Sequence, residues 1–203
     1  AKAQPTISGD TILNYTNAVM LLAATQSNPF AYEGNNFASK LSNSQTGEGY
    51  FSFDEPSSYN NDRKADTFVK ALFALEFIGA DYNRETALNH LNTVLPDIKS
   101  ATNGLLLGLT VSVLTNYDEE EARVLREELL THYKESGNYF AQGLGLYVDN
   151  LYALGENPLD EKWHIKIKDG QYISIQEAYS NLIHTSESFA FHNRLKSGDI
   201  TGQ

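Results

Sequence analysis

The spacing of apolar residues predicts a chain made almost entirely of α-helices. The first helix begins after an N-cap, Ser8 or Asp10, and ends before Pro29, because the residue before a proline is disfavoured in the helical conformation. The fourth helix, capped by Asn83, is expected to stop before Pro96 for the same reason. Helices after the first are predicted at residues 36–44, 65–78, 83–94, 100–116, 118–135, 141–154 and 174–184.

Residues 163–174 break the helical pattern. Apolar and polar residues alternate there, and Asp169-Gly170 is a dipeptide typical of a tight two-residue turn. The segment therefore predicts a small β-hairpin inserted among the helices.

The predicted helices are of two kinds. Residues 65–78, which Asp62 or Asp66 would open, and residues 104–114 are apolar on almost every side, so other elements must cover them all round. Residues 118–135 carry a single apolar stripe and charged residues elsewhere. Buried and one-sided helices alternate along the chain, which predicts an inner ring of helices wrapped by an outer ring.

Composition narrows the class of protein. The chain has 203 residues, of which 41% are hydrophobic and 20% charged, as expected for one globular domain over residues 1–203. Its net charge of -11 argues against a nucleic-acid binder, since phosphates require a basic face. It has no cysteine, which excludes disulfides, thiolate catalysis and cysteine-ligated zinc. No apolar run is long enough to span a membrane.

A weak repeat underlies the helices. Its glycine would turn the chain, and its aromatic residue would fill the gap before the next buried helix. The first copy has the spacing L-x3-Q-x3-G-x-F, and the second has tyrosine for glutamine: Leu41, Gln45, Gly49 and Phe51, then Leu129, Tyr133, Gly137 and Tyr139.

The motif in residues 45–51 resembles the Q-x3-G-x-W motif of terpenoid cyclases. Residues 74–91 look like an inner-to-outer helix step of the α/α toroid superfamily, which also includes protein prenyltransferases, complement thioester domains and transcobalamin. Residues 153–182 are similar to bacterial transcobalamin-like surface domains. The resemblance implies an all-α fold, an α/α toroid that is complete or partial. It also implies a ligand at the mouth of the toroid, for which a corrinoid such as cobalamin is the best-known case.

The sequence departs from the enzymes of that superfamily. The D-x-D-D acid motif of the cyclases does not occur, and the prenyltransferase zinc site and the thioester both need a cysteine. The resemblance therefore implies a non-enzymatic module of a secreted or cell-surface bacterial protein, of Gram-positive type. Its partner would be a small molecule, or a protein or glycan at the cell surface, and the chain could be part of a larger surface protein.

The candidate binding residues are aromatic or polar and occur in loops or at the predicted starts of inner helices. In a toroid these positions gather around one mouth of the ring. Each of them also fits an ordinary structural role, either filling space between helices or capping a helix. The candidates are Tyr50, Phe53, Asp54, Tyr59, Asn61, Asp66, Thr67, Asn103, Tyr139, Gln142 and His192.

Two other functions stay open. A glycosidase or lyase on an α/α barrel would need two carboxylates facing each other across an aromatic cleft, for which Asp54 with Asp62 or Asp66 is a candidate pair. A structural or adhesive surface domain would present only a flat, well-packed surface. The five histidines show no spacing that predicts a metal site.

Overall fold

The structure is a computed structural model that describes residues 11–53, 64–100, 104–136, 144–163, 165–168 and 171–174. These residues are mostly helical, which confirms the predicted helical class. The seven helices within them are α1 (Ile12–Ala24), α2 (Phe37–Ser42), α3 (Ala65–Ile78), α4 (Arg84–Ser100), α5 (Gly104–Leu114), α6 (Glu120–Ser136) and α7 (Leu144–Ala153).

A short 3-10 turn, Glu161–Trp163, follows α7. Two strands come next, β1 (Ile165–Lys168) and β2 (Gln171–Ser174), which pair antiparallel with Ile165 opposite Ser174. The predicted turn at Asp169-Gly170 and the predicted helix at 174–184, beyond its first residue, lie outside the described residues.

The chain divides into two compact units, Ala1–Ile98 and Lys99–Gln203, here called unit 1 and unit 2. The boundary falls inside α4. Each unit is described below by itself.

Unit 1 has its core around α3. This helix packs against α1 and α2, and its buried residues lie on more than one side, as its apolar sequence predicts. The ring of Phe68 on α3 lies 4.6 Å from that of His90 on α4. Gly79 ends α3 in the left-handed conformation, with φ of 65°.

Gln45 joins the end of α2 to the start of α4. Its side-chain amide donates to the Asn83 carbonyl at 2.9 Å, and its side-chain carbonyl accepts from the Asn83 N–H at 2.7 Å. Phe51 is fully buried and stacks on Phe68, with ring centroids 6.1 Å apart. The motif that the sequence singled out is therefore a structural corner in unit 1.

Several predicted helix boundaries are wrong. The helix predicted at 100–116 begins only at Gly104, because Ser100 is the last residue of α4. Thr11, rather than Ser8 or Asp10, caps α1 by accepting from the Asn14 N–H at 3.2 Å. Lys64 precedes α3 and makes no side-chain cap, so neither Asp62 nor Asp66 is its N-cap.

A further error concerns Pro96, which lies inside α4 instead of ending it. A proline in a helix interior costs about 3 kcal/mol. Beyond it, Ile98 is fully buried on the same face as Val94, and Lys99 contacts α6. These contacts offset the cost and extend the helix to Ser100.

Unit 2 has its core around α5, which packs against α6 and α7. Nearly all of α5 is buried, whereas α6 buries one stripe: Ala122, Leu125, Leu129, Leu130 and Tyr133. Both outcomes agree with the two predicted kinds of helix. The rings of Tyr133 and Tyr147 stack with centroids 4.6 Å apart and join α6 to α7.

Candidate functional site

Four of the predicted binding residues lie within the described ranges, all in unit 1. Tyr50 is 6% exposed, and its ring centroid lies 5.4 Å from that of His90. Phe53 packs on Tyr15, with centroids 4.7 Å apart. Both aromatic side chains therefore contribute to the packing of unit 1.

Asp66 and Thr67 occupy the first turn of α3 but differ in exposure. The Asp66 carboxylate is exposed and pairs with Lys70 at 2.8 Å, whereas Thr67 is buried. Of the four described candidates, Asp66 alone is an exposed residue. The other seven candidates lie outside the described residues: Asp54, Tyr59, Asn61, Asn103, Tyr139, Gln142 and His192.

A different site stands out in unit 2, a surface recess of about 440 Å³ between the C-terminal end of α4 and the outer face of α6. We call it the α6 recess. It combines three carboxylates, one ammonium group, a histidine and one apolar side chain, and it is lined by Lys99, Val124, Glu127, Glu128, Thr131, His132 and Glu135.

Lys99 and α6 form one edge of this recess. The Lys99 ammonium pairs with the carboxylate of Glu128. The Nε2 of His132 lies 3.0 Å from the Lys99 carbonyl oxygen. A carbonyl can only accept, so Nε2 carries the hydrogen and donates it. Two α6 side chains one turn apart thus hold both the side chain and the backbone of Lys99.

The two arginines of α6 are also engaged within the chain. Arg123 binds Glu127 at 2.6 Å and Glu120 at 2.7 Å, and its hydrogen bond to Glu120 lowers the pKa of that carboxyl. Arg126 donates to the Leu114 carbonyl at 3.2 Å, at the C-terminal end of α5. Both arginines are therefore already bound within the chain, Arg123 to two glutamates of α6 and Arg126 to the C-terminal end of α5.

Val124 is the one apolar residue among those that line the α6 recess. It lies off the buried stripe of α6 and is 51% exposed, between the carboxylates of the outer face. Packing within unit 2 leaves about half of this residue accessible to solvent. Single exposed apolar residues are common on protein surfaces, and a partner that binds in this recess would cover this one.

None of the binding residues predicted from the sequence lines the α6 recess. One signal was present: residues 120, 124, 128, 131 and 135 follow each other at steps of three or four, which places them along one face of a helix. The position of Lys99 beside that face depends on α4 continuing past Pro96, where the helix was predicted to stop.

Unit 2 also contains a buried polar cluster between α5 and α7. Ser112 donates to the side-chain carbonyl of Asn150 at 2.7 Å, and the Asn150 amide donates to the Gly108 carbonyl at 3.0 Å. The neighbouring Asp149 is 7% exposed, and its burial raises the pKa of its carboxyl to about 7. The hydrogen bonds of Asn150 pin α7 to α5, and burial makes Asp149 a group that titrates near neutral pH.

Within the described ranges no three acidic or histidine side chains are placed to hold a metal ion. No helix in the same ranges is long and apolar enough to cross a membrane. Comparisons with protein families, curated proteins and solved structures find no match to this chain.

Proposed function

We propose that this chain is a non-catalytic binding module of a secreted or cell-surface protein, and that it binds its partner at the α6 recess. The observation that carries the proposal is the recess itself. Its lining groups are charged or polar apart from Val124, and the fold of unit 2 leaves them at the surface. Polar and charged groups that converge in a concavity fix the orientation of a bound molecule and give specificity.

The proposal includes the α/α toroid as the architecture of the module. It is supported by the contrast between α3 and α5, buried on more than one side, and α6, buried along one stripe. It is further supported by the Gln45 corner, which connects α2 to the one-sided helix α4 around the buried ring of Phe51.

The chemistry of the recess favours a polar partner over a corrinoid. Sites for large, flat small molecules are mostly apolar and enclose most of the ligand. The α6 recess is open to solvent, and three of its seven lining residues are glutamates. A corrinoid bound at the toroid mouth, through residues such as Asp66 and Thr67, is the alternative that the same experiment tests.

The test is a thermal-shift screen of the full chain against corrinoids, glycans, divalent metals and peptides of either charge. A ligand that binds only the folded state raises the apparent melting temperature. The screen is repeated on a variant in which Glu127, Glu128 and Glu135 are replaced by glutamine. We expect a ligand that raises the melting temperature of the wild type and loses that effect in the variant.

A matched variant controls for the loss of charge. It carries Glu85→Gln, Asp160→Asn and Glu161→Gln, three exposed acidic positions that do not line the recess. It should respond to the ligand as the wild type does. A shift that survives in the recess variant, or no shift with any ligand class, would contradict the proposal.

A further inference from the structure

The outer face of α6 carries its charges as a continuous line. Glu120, Val124, Glu128, Thr131 and Glu135 succeed each other every three or four residues, and each is exposed. From Glu120 to Glu135 the line covers about 22 Å at 1.5 Å per residue. Carboxylates occupy both ends, and Val124 lies inside the line.

An ion pair within the chain shows the kind of group that this face can bind. The ammonium group of Lys99, brought in by another helix, lies in the recess against the Glu128 carboxylate, and its side chain is 29% exposed. The recess therefore already accommodates a cationic side chain. Its remaining lining includes two further carboxylates, Glu135 and Glu127, of which Glu127 also binds Arg123 on α6 at 2.6 Å.

The length of the outer face of α6 indicates what kind of cationic molecule fits it. One exposed ion pair contributes only about 0 to 1 kcal/mol, so a free amine that makes one such contact would bind weakly. A chain that places several cations along the 22 Å line would gain from each of them. An apolar side chain on the same carrier would cover Val124.

We infer that the α6 recess docks a basic amphipathic helix of a partner protein, with lysine or arginine side chains along the glutamates and an apolar side chain over Val124. This inference rests on the proposed function and names its partner. Two facts support it: the complementarity of positive charge to a chain of net charge -11, and the ammonium group already seated in the recess.

The probe is a fluorescein-labelled helical peptide of about 16 residues, which matches the length of the acidic line. It carries lysines at helical spacing around one leucine face, and a scrambled peptide has the same composition without that spacing. Fluorescence anisotropy gives the dissociation constant for the wild type, the recess variant described above and its charge-matched control. A fourth protein carries Val124→Ser.

We expect the recess variant to bind the peptide at least tenfold more weakly than the wild type, and the charge-matched control to change less than twofold. Val124→Ser should weaken binding about threefold, since it removes an apolar contact without changing the charge. The scrambled peptide should bind at least fivefold more weakly. Circular dichroism establishes that each variant is folded.

Four results would overturn the inference. The first is a peptide affinity that is equal for the wild type and the recess variant, and the second is equal affinity for the designed and scrambled peptides. The third is displacement of the peptide by spermine at the same charge concentration, which would assign the site to free polyamines. A corrinoid or glycan shift that is lost in the recess variant would overturn this inference alone and leave the proposed function standing.

Discussion

Gly49 is the residue at which the corner of unit 1 is most restricted. It has φ of 94°, a conformation that residues with a side chain rarely adopt. An alanine Cβ there would lie 2.0 Å from the Thr86 carbonyl oxygen, on the first turn of α4. Backbone conformation and close approach both require glycine at this position, which gives the glycine of the sequence motif a physical reason.

Replacing Gly49 by alanine should therefore lower the free energy of unfolding by about 3 kcal/mol or more, as the strain of a positive φ adds to a clash with backbone. Gly34 is the matched control, because it also has a positive φ, 80°, but no atom lies near its would-be Cβ. Gly34→Ala should cost about 1 kcal/mol. Urea unfolding measures both, and equal losses would contradict the close approach at Gly49.

Asp149 should make unit 2 more stable in mild acid. Its folded pKa of about 7 lies above the ordinary value of 3.8, so the folded state holds the proton more tightly than the unfolded state does. The free energy of unfolding should then fall as the pH rises from about 4 to 7 and level off above 7. Trp163, the single tryptophan of the chain, reports on unit 2 because its ring lies 6.2 Å from that of Tyr147.

Asp149→Asn should remove this pH dependence and raise the free energy of unfolding at pH 8 by roughly 1 to 3 kcal/mol. The comparison is made between the variant and the wild type at each pH, because other carboxyls also titrate. Asp160→Asn, at an exposed position of the same unit, should leave the pH dependence as it is. If the free energies of unfolding of the wild type and of Asp149→Asn changed in parallel with pH, burial would not shift the pKa of the Asp149 carboxyl.

At the scale of elements, Gln45 illustrates how a short motif acts. The side chain satisfies both the N–H and the carbonyl of Asn83, which precedes the first residue of α4. Its amide also donates to the Thr86 hydroxyl at 3.3 Å. One side chain thus fixes where α4 starts relative to the end of α2.

Gln45→Ala should lower the free energy of unfolding by about 1 to 2 kcal/mol, because it leaves the Asn83 N–H without its acceptor, whereas the Asn83 carbonyl keeps the Ala87 N–H as a donor. Gln45→Glu keeps the oxygen that accepts from the Asn83 N–H but loses the donor to the Asn83 carbonyl, so its loss should be smaller. Chemical denaturation of the three proteins gives the order. A glutamate variant less stable than the alanine variant would contradict the assignment of Oε1 as the acceptor.

Much of the helical structure can be predicted from the sequence, and the errors in the predicted helix bounds have physical causes. The bounds of α3 were predicted to the residue because its apolar run ends in Gly79, which adopts the left-handed C-cap conformation. The end of α4 was not, because local signals at Pro96 compete with the burial of Ile98, a contact that depends on tertiary structure.

The candidate site was harder to predict than the helices. Tyr50 is an aromatic residue of the kind that often contacts ligands, but its ring is buried against His90. His90 lies on another element, and sequence spacing does not reveal that the two residues meet. The α6 recess depends on Lys99 lying beside Glu128, 29 residues away. Spacing within α6 shows which residues share its outer face, while the concavity comes from the neighbouring helix.

In the molecule as a whole, we assign stability to the corner of unit 1 and partner binding to unit 2. The described part of unit 1 is organised by its corner motif and an aromatic core, and its candidate residues Tyr50 and Phe53 are part of that packing. In unit 2 the described outer face of α6 carries charged groups that the core does not use. We therefore assign partner binding to unit 2 and expect mutations in the corner of unit 1 to reduce stability without changing affinity at equal folded concentration.

The most direct test of this assignment is hydrogen–deuterium exchange of the full chain with and without the basic amphipathic peptide. We expect slower exchange in peptic fragments covering the end of α4 and the length of α6, with no change across the Gln45 corner. We also expect this protection to disappear in the variant with Glu127, Glu128 and Glu135 replaced by glutamine. Protection confined to other segments, or equal protection in that variant, would contradict the assignment.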